Sequence, residues 1–137
     1  MSTSAYLVGA FAMQSTFLRR ALLADVTLTA ITGLAAAFGS GPLAKLLGLP
    51  SSLLAGSSAV LIPFAAFVAF VATRERVLRP WVLAVIASNL LWVAGSFLLL
   101  LFGWIDPNAL GKTFVVGQAL IVAVLAELEF MGLRRLA

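Results

Sequence analysis

The chain has 137 residues, 63% hydrophobic and 10% charged, with a mean hydropathy of +1.14 and a net charge of +4. Soluble domains carry about 25% charged residues, and so small a chain cannot hide this much apolar surface, so its solvent is expected to be lipid. Cysteine and histidine are absent, which excludes disulfides, thiol chemistry, histidine-held haem and most zinc or copper sites.

Residues 5–18 are apolar but too short to span, and joining them to the next run would bury Arg19 and Arg20 in lipid. A secretory signal carries its positive charge ahead of its apolar core, not behind it. The pattern predicts, over 1–18, a helix lying on the cytoplasmic leaflet with Tyr6, Phe11 and Phe17 inserted. A partly ordered tail is the alternative.

The first span is predicted over 21–38, ended by Gly39-Ser40-Gly41-Pro42. Its 18 residues just cross ~27 Å at 1.5 Å per residue. Asp25, Thr29, Thr32 and Gly33 recur at helical spacing and share one small, polar face, which should point at neighbouring helices. A carboxylate in hydrocarbon costs several kcal/mol unless it is paired, protonated or wetted, so Asp25 stands out.

The second span is predicted over 53–72, with Ser51 and Ser52 as candidate caps after Pro50 and a kink expected at Pro63. Gly56, Ser57, Ser58 and pairs such as Ala65 and Ala69 read as packing notches. The third span, 81–102, follows Pro80 in a first-turn position. It carries Asn89, Trp92 and Ser96 well inside the membrane, as packing contacts or as the lining of a small-ligand pocket. The fourth, 108–131, starts after Asp106-Pro107, with Asp106 as the expected cap, and is interrupted by Lys112, Glu127 and Glu129. Gln118 and Glu129, eleven residues apart, share a face.

Arg19, Arg20, Arg74, Arg76, Arg79, Arg134 and Arg135 gather at one end and only Lys45 and Lys112 at the other. This asymmetry predicts an all-α integral membrane four-helix bundle, a single four-span domain over 1–137 with both termini cytoplasmic. Trp81 and Trp104 would mark the two interfaces.

Depth-matching brings Asp25, Glu127 and Glu129 to one level near Arg19, Arg20, Arg134 and Arg135. Two residues apart on a helix point ~200° from each other, so Glu129 is expected inside the bundle and Glu127 outside. Two readings stay open: an interhelical ion-pair layer with these arginines that fixes register, or a proton or cation site.

No serine has a basic partner to make it a nucleophile, and no glycine-rich loop precedes a strand. An enzyme is therefore not expected, nor are catalytic residues, a cofactor, a metal site or nucleic-acid binding. The function expected first is an accessory or scaffolding protein packing against another integral membrane protein. The alternative is a small homodimeric proton-coupled carrier or channel using Asp25, on the ground that four short helices enclose little cavity alone. The lipid bilayer and either another membrane protein or a second copy are the expected partners.

Four spans with an acid in the first is an architecture shared with small multidrug resistance transporters, although here arginines closely precede the acid. The run Leu18-Arg19-Arg20-Ala21-Leu22, then Gly33, then Gly41-Pro42-Leu43-Ala44-Lys45-Leu46-Leu47-Gly48-Leu49-Pro50, resembles the opening of DoxX-like bacterial inner-membrane proteins, which are also four-span chains of about this length. The likeness covers roughly the first third. The acid that such proteins often carry in the second span has no counterpart in 53–72. The resemblance implies a multi-pass protein of the bacterial inner membrane and carries over no activity; the bias toward Ala, Gly, Leu and Arg suggests a bacterial source.

Overall fold

In the computed structural model the backbone of residues 3–136 and the side chains of residues 16–135 are described. Five helices follow one another: α1 (Thr3–Phe38), α2 (Ser40–Leu47), α3 (Ser51–Thr73), α4 (Arg79–Leu101) and α5 (Ala109–Leu136). Four are long and apolar enough to cross a membrane, over Thr16–Phe38, Ser51–Thr73, Arg79–Leu101 and Ala109–Arg135. The chain is a multi-pass, membrane-spanning, all-α bundle.

α1 is one unbroken helix of 36 residues, about 54 Å long at 1.5 Å per residue. The segment expected on the leaflet surface forms its first turns. The side chains of Tyr6 and Phe11 lie outside the described residues. α1 packs along α3 and α5, α5 packs along α4, and α3 touches α4 little. The spatial order is therefore α3–α1–α5–α4, with a gap where α3 and α4 would close the ring.

Close helix approach rests on glycine. A Cβ on Gly33 would lie 3.2 Å from Leu61 Cβ of α3, and one on Gly132 would lie 3.1 Å from Leu18 Cα of α1. At the arginine-rich end, Leu18, Leu22, Val68, Val71, Val82, Val85, Ala126 and Leu133 form a closed core drawn from all four spans. Here α3 meets α4, and Phe70 lies 5.3 Å from Trp81, centroid to centroid. At the opposite end a second core joins Ala36, Leu47, Leu49, Leu54, Ile105 and Val115.

α1 ends at Phe38, ahead of Gly39 as expected, and a short helix, α2, follows it, which Gly48 ends in the left-handed conformation at φ 68°. Two local expectations are corrected. Ser51 and Ser52 do not cap α3; Pro50 occupies the cap position and no side chain bonds there. Asp106 does not cap α5. Asn108 does, its Oδ1 accepting from Gly111 N–H at 2.8 Å, while its Nδ2 donates to Leu46 O at 2.9 Å and its backbone N–H to Leu47 O at 3.2 Å. One asparagine thus closes the ends of two helices, satisfying a donor of α5 and two carbonyls of α2.

Candidate functional site

Embedded in the core at the arginine-rich end, with Glu129 between Ala126 and Leu133 of that core, the bundle carries a polar layer. Asp25, Asn89 and Glu129 come from three different helices and are 1%, 4% and 0% exposed. Asn89 Nδ2 donates to Asp25 Oδ2 at 2.8 Å and to Glu129 Oε1 at 2.9 Å. Thr29, one turn along α1, donates to Asp25 Oδ1 at 2.9 Å. Glu129 Oε2 is buried without a hydrogen-bond partner. Helical spacing explains the convergence: Asp25, Thr29 and Gly33 line the inner face of α1, and Glu129 follows Leu125 and Ala126 on the inner face of α5.

The arginines take no part in this layer, which corrects the expected ion-pair cluster. Among the described residues no ion pair or hydrogen bond joins Asp25 or Glu129 to Arg19, Arg20, Arg134 or Arg135. Arg19 instead donates to Ala72 O at 2.6 Å and to Glu75 O at 2.7 Å, closing the end of α3. Arg135 lies over Phe17 at 4.5 Å and Arg134 over Phe130 at 5.8 Å. Arg20 is exposed. Five residues advance a helix by about 7.5 Å and turn it by about 500°, so Arg20 is within a turn and a half of Asp25 in level but points in another direction.

Glu127 points outward and is exposed, on a helix face with Leu120, Val124 and Met131. Trp92 and Gln118 meet nearer the opposite end: Trp92 Nε1 donates to Gln118 Oε1 at 2.8 Å. Gln118 Nε2 donates to Ser96 Oγ at 3.0 Å and to Val115 O at 2.8 Å.

Two cavities adjoin these groups. The larger, about 860 Å³, lies between the polar layer and the opposite end, walled by all five helices and roofed by Leu43, Trp104 and Ile105. Its lining is almost wholly apolar, and it opens where α3 and α4 part. The smaller, about 130 Å³, lies deeper and reaches Thr29 and Asn89. Both are bordered by Thr32, Leu61, Trp92 and Gln118, so the Trp92–Gln118 pair stands between them. The expectation that four helices alone enclose little space is therefore corrected: one bundle suffices, because the meagre contact between α3 and α4 leaves a side unfilled.

The arrangement holds two carboxyl groups on one amide nitrogen, and no basic side chain among the described residues bonds them. Like charges this close in a low-dielectric layer repel, and one added proton or cation relieves that repulsion. The apolar cavity offers room for a drug-sized hydrophobic molecule. Comparison of the chain with protein family models, with curated proteins and with solved structures gave no match. The likeness to DoxX-like proteins thus rests on the residues of the first third.

Proposed function

We propose that this protein is a small proton-coupled membrane carrier for a hydrophobic solute, with Asp25 and Glu129 as the groups that take up and release the proton. The observation that carries the reading is the buried Asp25–Asn89–Glu129 layer, which no basic side chain bonds among the described residues and whose Asn89 borders the smaller of two adjoining cavities. Buried acids in membrane helices are costly, and proton relays are a principal reason for bearing that cost. The positive-inside rule assigns the arginine-rich end, and with it both termini, to the cytoplasm. The cavity then faces the outer half of the bilayer. The DoxX-like opening and the residue bias favour a bacterial inner membrane.

The test uses proteoliposomes loaded with a pH-sensitive dye under an imposed pH gradient, with hydrophobic solutes added in turn. Solute-dependent proton movement is expected from the wild type and not from Asp25→Asn, at unchanged helicity and elution volume. Proton movement that survives Asp25→Asn would rule out this mechanism.

An accessory role draws on a different observation, the exposed Glu127 amid apolar residues at span depth. A cation on a partner membrane protein or a second copy would satisfy it. Extraction in mild detergent followed by affinity purification tests this: a partner lost on Glu127→Gln is the expected result, and a chain that purifies alone opposes it.

A further inference from the structure

The larger cavity is bordered by polar groups but by no charge: none of its described lining residues is acidic or basic. Its hydrogen-bond donors are spent, with one exception. Thr32 donates to Leu28 O, Ser96 to Trp92 O and Thr113 to Ala109 O. Trp92 donates to Gln118 Oε1, and Gln118 Nε2 serves Ser96 Oγ and Val115 O. Unlike its neighbour Ser58, which donates to Ala55 O, Ser57 borders the cavity and its hydroxyl donates to nothing among the described residues. The acids stand elsewhere. Asp25 lies 13 residues before Phe38, about 20 Å from that end of α1, whereas Ser57 lies six residues after Ser51, about 9 Å from the same end of the bundle. Neither Asp25 nor Glu129 borders either cavity.

We propose that the solute is an uncharged, lipid-soluble molecule with one acceptor oxygen, taken from the bilayer between α3 and α4 and held in the larger cavity by Ser57, apart from the acids. The inference rests on the carrier reading above and specifies its substrate class. The roof of Leu43, Trp104 and Ile105 covers the end of the cavity, and the opening lies sideways between two spans, so the way in is from hydrocarbon. An ion of either sign would enter a chamber that offers no counter-charge, and an unpaired ion in an apolar site is costly. One carbonyl or hydroxyl oxygen can accept from Ser57, and a second acceptor would find no free donor. The rest of the lining matches a hydrocarbon body, and about 860 Å³ lies within the range that holds drug-sized molecules. Solute and proton then occupy different levels of the bundle and do not compete for one carboxylate. Thr32, Trp92 and Gln118 border both cavities and stand between the solute and Asn89, which holds the two acids.

The test compares three tritiated probes of similar length: dodecyl methyl ketone, tetradecane and dodecyltrimethylammonium. Binding to the full chain in nanodiscs is read by scintillation proximity, with empty nanodiscs subtracted. The ketone is expected to bind about fivefold tighter than the alkane, the weight of one neutral hydrogen bond. The ammonium is expected to bind weakest. Ser57→Ala should lower ketone affinity to that of the alkane and leave the alkane unchanged. Asp25→Asn, which should stop proton movement, should keep the order of the three probes. If either variant misfolds, the order on the wild type decides alone. A ketone no tighter than the alkane, a preferred ammonium, no binding above empty nanodiscs, a ketone advantage that survives Ser57→Ala, or one lost in a folded Asp25→Asn protein would overturn the proposal. Asp25-dependent proton movement driven only by charged solutes would leave the carrier reading standing while this inference falls. A Ser57-dependent ketone preference without Asp25-dependent proton movement would do the reverse, keeping the site and removing the carrier.

Discussion

Asp25 of α1 and Glu129 of α5 are held by the same atom, Nδ2 of Asn89, at 2.8 and 2.9 Å. The amide is the bond between three helices at the level of the two buried acids. Its removal strands both acids, and a buried group left unpaired costs about 1–3 kcal/mol, more if charged. That exceeds the ~0.6 kcal/mol typical of an interhelical hydrogen bond in a membrane. Asn89→Leu should therefore destabilise the fold by about 1–3 kcal/mol, read as a lower thermal midpoint in detergent. An unchanged midpoint would mean that the layer contributes nothing to stability.

The glycines divide by what a methyl group would meet. On Gly111 it would overlap the Leu47 carbonyl, where α5 begins against the end of α2, and on Gly132 it would press on the Leu18 backbone. Gly117 has nothing within 4 Å. Gly111→Ala is expected to destabilise by about 1–3 kcal/mol, as overpacking does. Gly117→Ala is expected to stabilise by about 0.5–1 kcal/mol, the ordinary helix preference. Thermal midpoints of opposite sign check both.

Gly95 lines the larger cavity and also has open space around its Cβ position. A Cβ on Gly95 meets nothing within 4 Å, so the side chain of Gly95→Phe starts in open space and adds a ring to the cavity lining. Solute-dependent proton movement should fall to background, while stability stays within about 0.5 kcal/mol, as for substitutions that disturb no packing. Full transport by a folded Gly95→Phe protein would place the solute elsewhere.

Arg19 shows what depth alone could not tell. Its guanidinium reaches carbonyls of Ala72 and Glu75 with two separate nitrogens, a fork that a lysine ammonium cannot reproduce. Arg19→Lys should lower stability by about 1–2 kcal/mol, with Arg19→Ala at the upper end. Equal midpoints for wild type and Arg19→Lys would show that one contact suffices.

The spans were legible because apolar runs, prolines and arginines mark them in one dimension, and lipid requires length of every crossing. The inward face of α1 was also legible, since Asp25, Thr29 and Gly33 obey the helical period. The partner of Asp25 was not. Charge complementarity pointed to Arg20, but rotation about the helix axis sent Arg20 outward and left the acid to Asn89, 64 residues away. The cavity could not be read either, because it arises from how far α3 and α4 diverge, which no residue pattern encodes. α2 had a usable sign that was passed over: Gly48 sits where a helix stop belongs, and Leu43, Leu46 and Leu47 precede it at helical spacing.

Membrane orientation supplies the remaining prediction. Lys45 lies on α2, at the end away from the turn between α3 and α4 that carries Arg76, and both side chains are exposed. α3 runs between them for 23 residues, about 35 Å, which exceeds the ~30 Å hydrocarbon core. Single cysteines at the two positions, in a chain that has none, should react with a membrane-impermeant maleimide from opposite sides. The positive-inside rule further requires Lys45→Cys to react in intact cells and Arg76→Cys only after the inner membrane is opened. Labelling of both from one side would contradict the four-span topology. Labelling from opposite sides in the reverse sense would keep the bundle, invert its orientation and turn the cavity toward the cytoplasmic leaflet.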